Sequence, residues 1–227
     1  MNGGYAYFPP EGTDKEGIIM SEKKYMALTF DDGPSDTTSL RVLEKLKKYN
    51  AKGSFFLIGT NITPEREYII REEMAYGCDI ENHSLTHSDM RTLDRETIDS
   101  EIRETTRRIV AVTGKEPVFF RPPYININDL MFETIPYIFI SGYGCEDWVP
   151  EVSAEERARR VIEGARDGAV VLLHDMEGNE NTVEALDIII PELQGRGFEF
   201  VTIRELFERG GVTPDNAKRI VYTYTDQ

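Results

Sequence analysis

The chain has 227 residues, 40% of them hydrophobic, with a formal net charge of -15. That length and composition suit a single domain with a sizeable core. The charge argues against nucleic acid, whose phosphates require a basic surface, and against anionic membranes or polyanionic substrates, which leaves neutral polymers and small molecules.

No apolar run reaches the roughly 18 residues of a membrane span. The opening Met1-Asn2-Gly3-Gly4 lacks the basic and apolar regions of a signal peptide, so a trimmed signal or a module of a larger protein is expected. Cys78 and Cys145 are the 2 cysteines. With no Cys-x-x-Cys pair, both are expected as buried thiols.

Residues 1–23 mix Gly, Pro, Tyr and charge without period, which predicts an irregular lead-in with a short strand at Tyr5–Phe8. Tyr25–Phe30 is an apolar run that reads as a buried strand, stopped by Asp31-Asp32-Gly33-Pro34. Ser35 or Asp36 can cap the next helix, whose apolar face carries Leu40, Val42, Leu43 and Leu46. A second strand spans Gly53–Gly59. Pro64 opens a helix that ends at Gly77, and Asp79–His83 is a third strand.

Asp94 starts a long helix to Thr113, with Ile98, Ile102, Ile109 and Val112 on its core face and charge on a solvated outer face. Val118–Phe120 and Tyr137–Ser141 read as strands. Ser153 and Glu156 form an expected capping box for a helix to Arg166. Ala169–Leu173 is a strand, Thr182–Leu193 a helix despite Pro191, Glu199–Ile203 a strand and Arg204–Arg209 a short helix. In the tail 211–227, Val221–Thr225 alternates like an edge strand, with no evident role. Strands alternating with helices predict a parallel sheet: a (β/α) barrel, or else a doubly wound open sheet.

All 3 histidines, His83, His87 and His174, fall at or just after the end of a predicted strand. In a barrel those ends share the face where active sites are built. His83-x-x-x-His87 would place both rings on one side of a helical turn, a spacing that suits two ligands of one metal. Two adjacent carboxylates at Asp31-Asp32 repel unless a cation sits between them or one is protonated. Alone, each motif reads equally well as a polar turn. Together they point to two histidines and one carboxylate around a metal, with a second carboxylate left as a base. That set suits metal-assisted hydrolysis, while a non-haem iron oxygenase shares the ligand types.

Thr29-Phe30-Asp31-Asp32-Gly33-Pro34, His83-x-x-x-His87, Arg121-Pro122-Pro123-Tyr124, Asp147-Trp148 and Leu172-x-His174 resemble, in order, the five motifs of the polysaccharide deacetylases, carbohydrate esterase family 4 or the NodB homology domain. The resemblance spans about residues 24–210. It implies a distorted (β/α) barrel of seven or eight parallel strands in a single domain.

By the same resemblance, Asp31 is the base, and Asp32, His83 and His87 bind one divalent metal: zinc, with cobalt or nickel as alternatives. Arg121 orients Asp31, the Tyr124 backbone N–H is an oxyanion donor, His174 is the general acid and Asp147 fixes its tautomer. Trp148 and Leu172 line the acetyl pocket, although Leu172 in a buried strand reads equally well as core. Two departures from the family pattern bear on the groove. Gly142-Tyr143-Gly144-Cys145 stands where many members carry an acid, and Gly77-Cys78-Asp79-Ile80-Glu81-Asn82 replaces Gly-His-Glu-Ile-Gly-Asn.

The second half looks most like acetylxylan esterases, which implies O-deacetylation of xylan by an extracellular or cell-surface module of a larger plant-cell-wall-degrading enzyme. N-deacetylation of chitooligosaccharide or peptidoglycan is the alternative. It is disfavoured by charge, because an acidic protein would retain the cationic product. A non-catalytic carbohydrate-binding homologue is a third reading, opposed by the intact motifs.

Overall fold

Strand β1 (Lys24–Asp31) runs through the middle of the sheet, and its last six residues are buried. The computed structural model describes residues 23–227, so the expected lead-in and its strand at Tyr5–Phe8 lie outside the described residues. Every strand pair is parallel. β2 (Gly53–Leu57) and β7 (Ala169–His174) flank β1. β3 (Asp79–Asn82), β4 (Phe119–Phe120) and β5 (Ile138–Phe139) follow beyond β2, and β6 (Tyr143–Gly144) lies beyond β7. β8 (Phe198–Phe200) pairs with the first residues of β1. The result is the distorted (β/α) barrel that the sequence implies, not the doubly wound open sheet.

Among the described residues seven α-helices accompany these strands: α1 (Ser39–Lys48), α2 (Glu67–Ala75), α3 (Arg95–Thr113), α4 (Asp129–Thr134), α5 (Ala154–Glu163), α6 (Glu180–Gly195) and, after β8, α7 (Ile203–Arg209). Strand alternation divides the core. Met26, Leu28 and Phe30 pack outward among Val42, Leu43 and Leu46 of α1 and Leu186, Ile189 and Ile190 of α6. Ala27 faces inward, where Phe56, Phe119, Val170 and Tyr222 meet Leu206 and Phe207 of α7. Thr29 and Asp31 share the Ala27 side, one and two steps nearer the rim where the strands end.

Local signals explain most boundaries. The Asp94 side chain accepts the Thr97 N–H at 2.9 Å to start α3, and Gly114 ends it at φ 70°. Ser35 Oγ accepts the Thr38 N–H at 3.1 Å ahead of α1. Ser153 caps α5, but Glu156 does not complete the expected box. Its carboxylate is taken by Arg159 and Arg160 instead. The full box occurs at Thr202 and Glu205, opening α7. The elements α4 and β6 are too short to show a period and were not expected.

Glu81, within one of the two departures from the resembled pattern, makes a structural contact. Its Oε2 accepts the N–H groups of Val118 (2.7 Å) and Phe119 (2.8 Å), tying β3 to the two-residue β4. Burial raises its carboxyl to about 8, against the pull of those N–H donors.

The tail is not an edge strand. Tyr222 N–H donates to Phe139 O at 2.9 Å, and Ser141 N–H to Tyr222 O at 2.8 Å. On the other side Val170 N–H donates to Thr223 O and Thr225 N–H to Gly168 O, both at 3.0 Å. The segment therefore bridges β5 and the start of β7, with Tyr222 only 1% exposed inside the barrel.

Candidate active site

The Asp31-Asp32 pair splits where β1 ends. Asp31 keeps the strand direction and is buried, while Asp32 sits at φ 74° and turns its carboxylate along the rim. Gly33 leaves room for the close packing there, since a Cβ would meet the Asp175 carboxylate at 2.6 Å. Both carboxylates thus reach one cleft of about 570 Å³ without sharing an environment.

Asp31 belongs to Arg121. Arg121 is fully buried and donates from Nη1 to Asp31 Oδ1 at 2.6 Å and from Nη2 to Ser141 O at 2.5 Å, with its guanidinium over the Phe56 ring. Burial lowers the Arg121 pKa, and the Asp31 carboxylate opposes that. The other Asp31 oxygen lies 3.8 Å from His83 Nε2.

Asp32 belongs to the histidines. Its Oδ1 lies 3.4 Å from His83 Nε2 and 3.5 Å from His87 Nε2. Burial alone would raise the Asp32 carboxyl, but the adjoining imidazoles, His83 first and then His174 and His87, bring it down to about 2. His87 is held below the ordinary imidazole range by burial and by His83, which outweigh Asp32 and Asp31.

His83 Nδ1 lies 2.7 Å from Arg121 O. A carbonyl only accepts, so Nδ1 carries the proton and Nε2 presents its lone pair to the cleft. One residue, Arg121, thereby positions a carboxylate with its side chain and a histidine with its backbone.

These residues fit a divalent cation. Asp32, His83 and His87 each offer one ligand atom, all within 4.8 Å of one another, and Asp32 Oδ1 is buried with no hydrogen-bond partner among the described residues. Two imidazoles and one carboxylate suit zinc-like ions and leave coordination positions open.

The route to this cluster differs from the expected helical turn. Residues 83–89 form no helix, and Ser84 (φ 66°) and His87 (φ 58°) adopt left-handed backbone. Glu101 holds that loop. Its Oε2 accepts the Leu85 and Thr86 N–H groups, both at 2.9 Å, and its Oε1 accepts the Thr86 hydroxyl at 2.8 Å. Glu101 was missed among the solvated charges of α3. Its spacing from Ile98, Ile102 and Thr105 places it on the buried face, a signal the sequence does carry.

Across the cleft stands His174. Its Nδ1 donates to Asp147 Oδ1 at 2.8 Å, and its backbone N–H to Asp147 Oδ2 at 2.7 Å, so Nε2 is left for the cleft. Burial alone would lower the His174 pKa. The hydrogen bond and charge of Asp147, with Asp31 and Asp32, reverse that and raise it to about 9. Metal-free protein should therefore show a His174 ring titration near 9 by NMR, and a bound dication should lower it by repelling the imidazolium. The raised value adds stability that is full below the ordinary ~6.5 and lost as pH rises through the folded value. A metal-free midpoint at or below ~6.5 would contradict the assigned Asp147 contact.

Two aromatic rings flank the opening. Tyr124, at φ 59° and 64% exposed, sets its ring edge-on to His87 at 4.6 Å. Trp148, 50% exposed, does the same to His174 at 5.6 Å. Leu172 lines the cleft while only 7% exposed, so it serves core and cleft together. Gly142 and Gly144 form part of the cleft wall. A Cβ on Gly142 would meet Leu172 at 2.8 Å.

Residues 19–136 match the family described as Polysaccharide deacetylase. The chain belongs to the polysaccharide deacetylase family. Over 202 residues it is 43% identical to a bifunctional xylanase/deacetylase of Pseudobutyrivibrio xylanivorans, covering 89% of this chain and 33% of that protein. The chain thus spans about a third of that relative's length. Among solved structures of polysaccharide deacetylases, a family 4 acetyl xylan esterase from Clostridium thermocellum, in complex with a cobalt ion, superposes with a TM-score of 0.88 at 41% identity. It covers 90% of this chain and 100% of that one. The Xyl-CE4 domain of a multidomain xylanase from the hindgut metagenome of Trinervitermes trinervoides also gives 0.88, at 40% identity, covering 90% and 99%.

Proposed function

We propose that this protein is a metal-dependent carbohydrate esterase that removes O-acetyl groups from xylan. One observation carries the reading: two adjacent carboxylates with separate partners, Asp31 on a buried arginine and Asp32 on two histidines, face a third histidine across one cleft. Similarity to a xylanase/deacetylase and an acetyl xylan esterase supports xylan as the polymer.

A cation held by Asp32, His83 and His87 supplies a Lewis acid for the acetyl carbonyl and for water. The remaining roles belong to the chain. Arg121 holds Asp31 aimed into the cleft, where it takes the proton of the attacking water as the new C–O bond forms. The Tyr124 backbone N–H donates to the oxyanion. His174, with Nδ1 fixed by Asp147, gives the Nε2 proton to the departing sugar oxygen, and the C–O ester bond breaks. Trp148 and Leu172 enclose the methyl group. Acetate and a free sugar hydroxyl result.

Zinc, cobalt and nickel all suit the donor set. We also place the protein outside the cell or at its surface, as a module of a larger plant-cell-wall-degrading enzyme, because its polymer substrate is found there. Among the described residues no helix is long and apolar enough to cross a membrane.

The test is acetate release from acetylated xylan before and after chelation, with zinc, cobalt or nickel added back. Release is expected to stop on chelation and return with metal. An N-acetylglucosamine oligomer run in parallel should release much less. Release from the amide alone would overturn the choice of xylan.

A further inference from the structure

Arg157 on α5 is 1% exposed. Its guanidinium makes four hydrogen bonds, all to neutral acceptors. Nε donates to Val152 O at 2.9 Å and Nη2 to Val149 O at 3.0 Å. Nη1 donates to Asn179 Oδ1 at 2.6 Å and to Thr182 Oγ1 at 2.9 Å. Those two side chains then face Asp147. Thr182 Oγ1 donates to Asp147 Oδ2 at 2.9 Å, and Asn179 Nδ2 to the same oxygen at 3.4 Å and to His174 O at 3.0 Å.

The direction of every bond in this chain is forced. A guanidinium only donates and a carboxylate only accepts, whereas a hydroxyl and an amide can do either. Because Arg157 fills the acceptor side of Thr182 and Asn179, each must turn its donor toward Asp147. With Thr182, Asn179 and the His174 backbone N–H on Oδ2, Oδ1 is the oxygen left for the imidazole. Such chains polarise one another in a low-dielectric interior. Burial lowers the Arg157 pKa, and the charge of Asp147 offsets part of that.

We propose that Arg157 is a positioning residue for the proposed deacetylation. Acting through Thr182 and Asn179, it fixes the donors around Asp147 and so holds His174 as a proton donor aimed at the leaving group. This rests on the reading of His174 as the general acid. A purely structural role, tying α5 to α6 and to the loop at 149–152, is the rival account, and the leaving group separates the two. A sugar alkoxide oxygen must be protonated as it departs, whereas a nitrophenolate leaves unaided.

The experiment compares Arg157→Met, Thr182→Val and His174→Ala on an acetylated xylo-oligosaccharide and on 4-nitrophenyl acetate, in zinc-loaded protein. General-acid groups contribute about 10²–10⁴-fold, so partial misalignment should lower kcat on the sugar acetate by about 10–100-fold, with KM nearly unchanged. In Arg157→Met and Thr182→Val, hydrolysis of the nitrophenyl ester should change by less than about threefold, since a nitrophenolate needs no acid. Thr182→Ser, which keeps the hydroxyl, should recover most of the loss. If Arg157→Met does not fold, the Thr182 variants decide. Equal losses on both esters, or no loss on either, would overturn the role of Arg157. If His174→Ala itself shows no preference between the esters, the general-acid reading fails first, and that result is distinguishable from failure of the relay alone.

Discussion

Asp31→Asn is expected to lower acetate release by roughly 10³-fold while leaving the bound metal per chain unchanged. The expectation follows from how the carboxylates divide their partners. Asp31 Oδ1 is held by Arg121 at 2.6 Å, whereas the Asp32–His83–His87 cluster does not need Asp31 to assemble. Asparagine keeps an acceptor oxygen for the guanidinium, so the buried pair survives as a hydrogen bond and the fold is kept. Asp31→Leu would instead strand a buried cation, at about 3–5 kcal/mol. The converse variant, His83→Ala, should lose both metal and activity. Elemental analysis beside acetate assays separates the two classes. An Asp31→Asn protein that kept more than about a tenth of its activity would remove Asp31 from the role of base.

Tyr222→Ala should destabilise the protein by about 3–5 kcal/mol, the range for large aromatic truncations in cores. At this chain length that is a Tm fall of about 6–20 °C. Tyr222 sits among Phe56, Phe119, Ile140 and Val170, with its ring edge-on to Phe207 at 5.5 Å. Its hydroxyl accepts the Asp215 N–H at 3.2 Å. Deleting residues 212–227 should do more harm, because it also bares β5 and the start of β7 as open strand edges, which invite aggregation. Calorimetry with size-exclusion chromatography would show both effects. A Tyr222→Ala protein melting within about 2 °C of the parent would mean the tail is dispensable for stability.

The parallel barrel was legible because buried parallel strands leave a plain mark, apolar runs stopped by glycine, proline and acid. The residues of the cleft were legible for a related reason. Asp31 and His174 end their strands and His83 and Arg121 follow theirs, so chain order reports where they gather. Contacts made across long separations left no such mark. Nothing near Arg157 in the sequence indicates Asn179 or Thr182, and nothing near Tyr222 indicates Phe139. The His83–His87 spacing was read as a helical turn because no local signal reveals that Glu101 anchors the loop from another element. β6 and α4 were missed because two and six residues cannot display a period.

The bridge from residues 222–225 to β5 and β7 also sets an order of events during synthesis. β5 and β7 leave the ribosome with facing edges unjoined, and the segment that joins them emerges some fifty residues after β7. Until then the nascent barrel carries an open seam and an unfilled socket for Tyr222. Contacts of such long sequence separation form late and slowly. The closing step of folding therefore waits for residues 222–225, and a ribosome stalled before residue 222 should display a chain sensitive to protease at that seam while β1 to β4 are already protected.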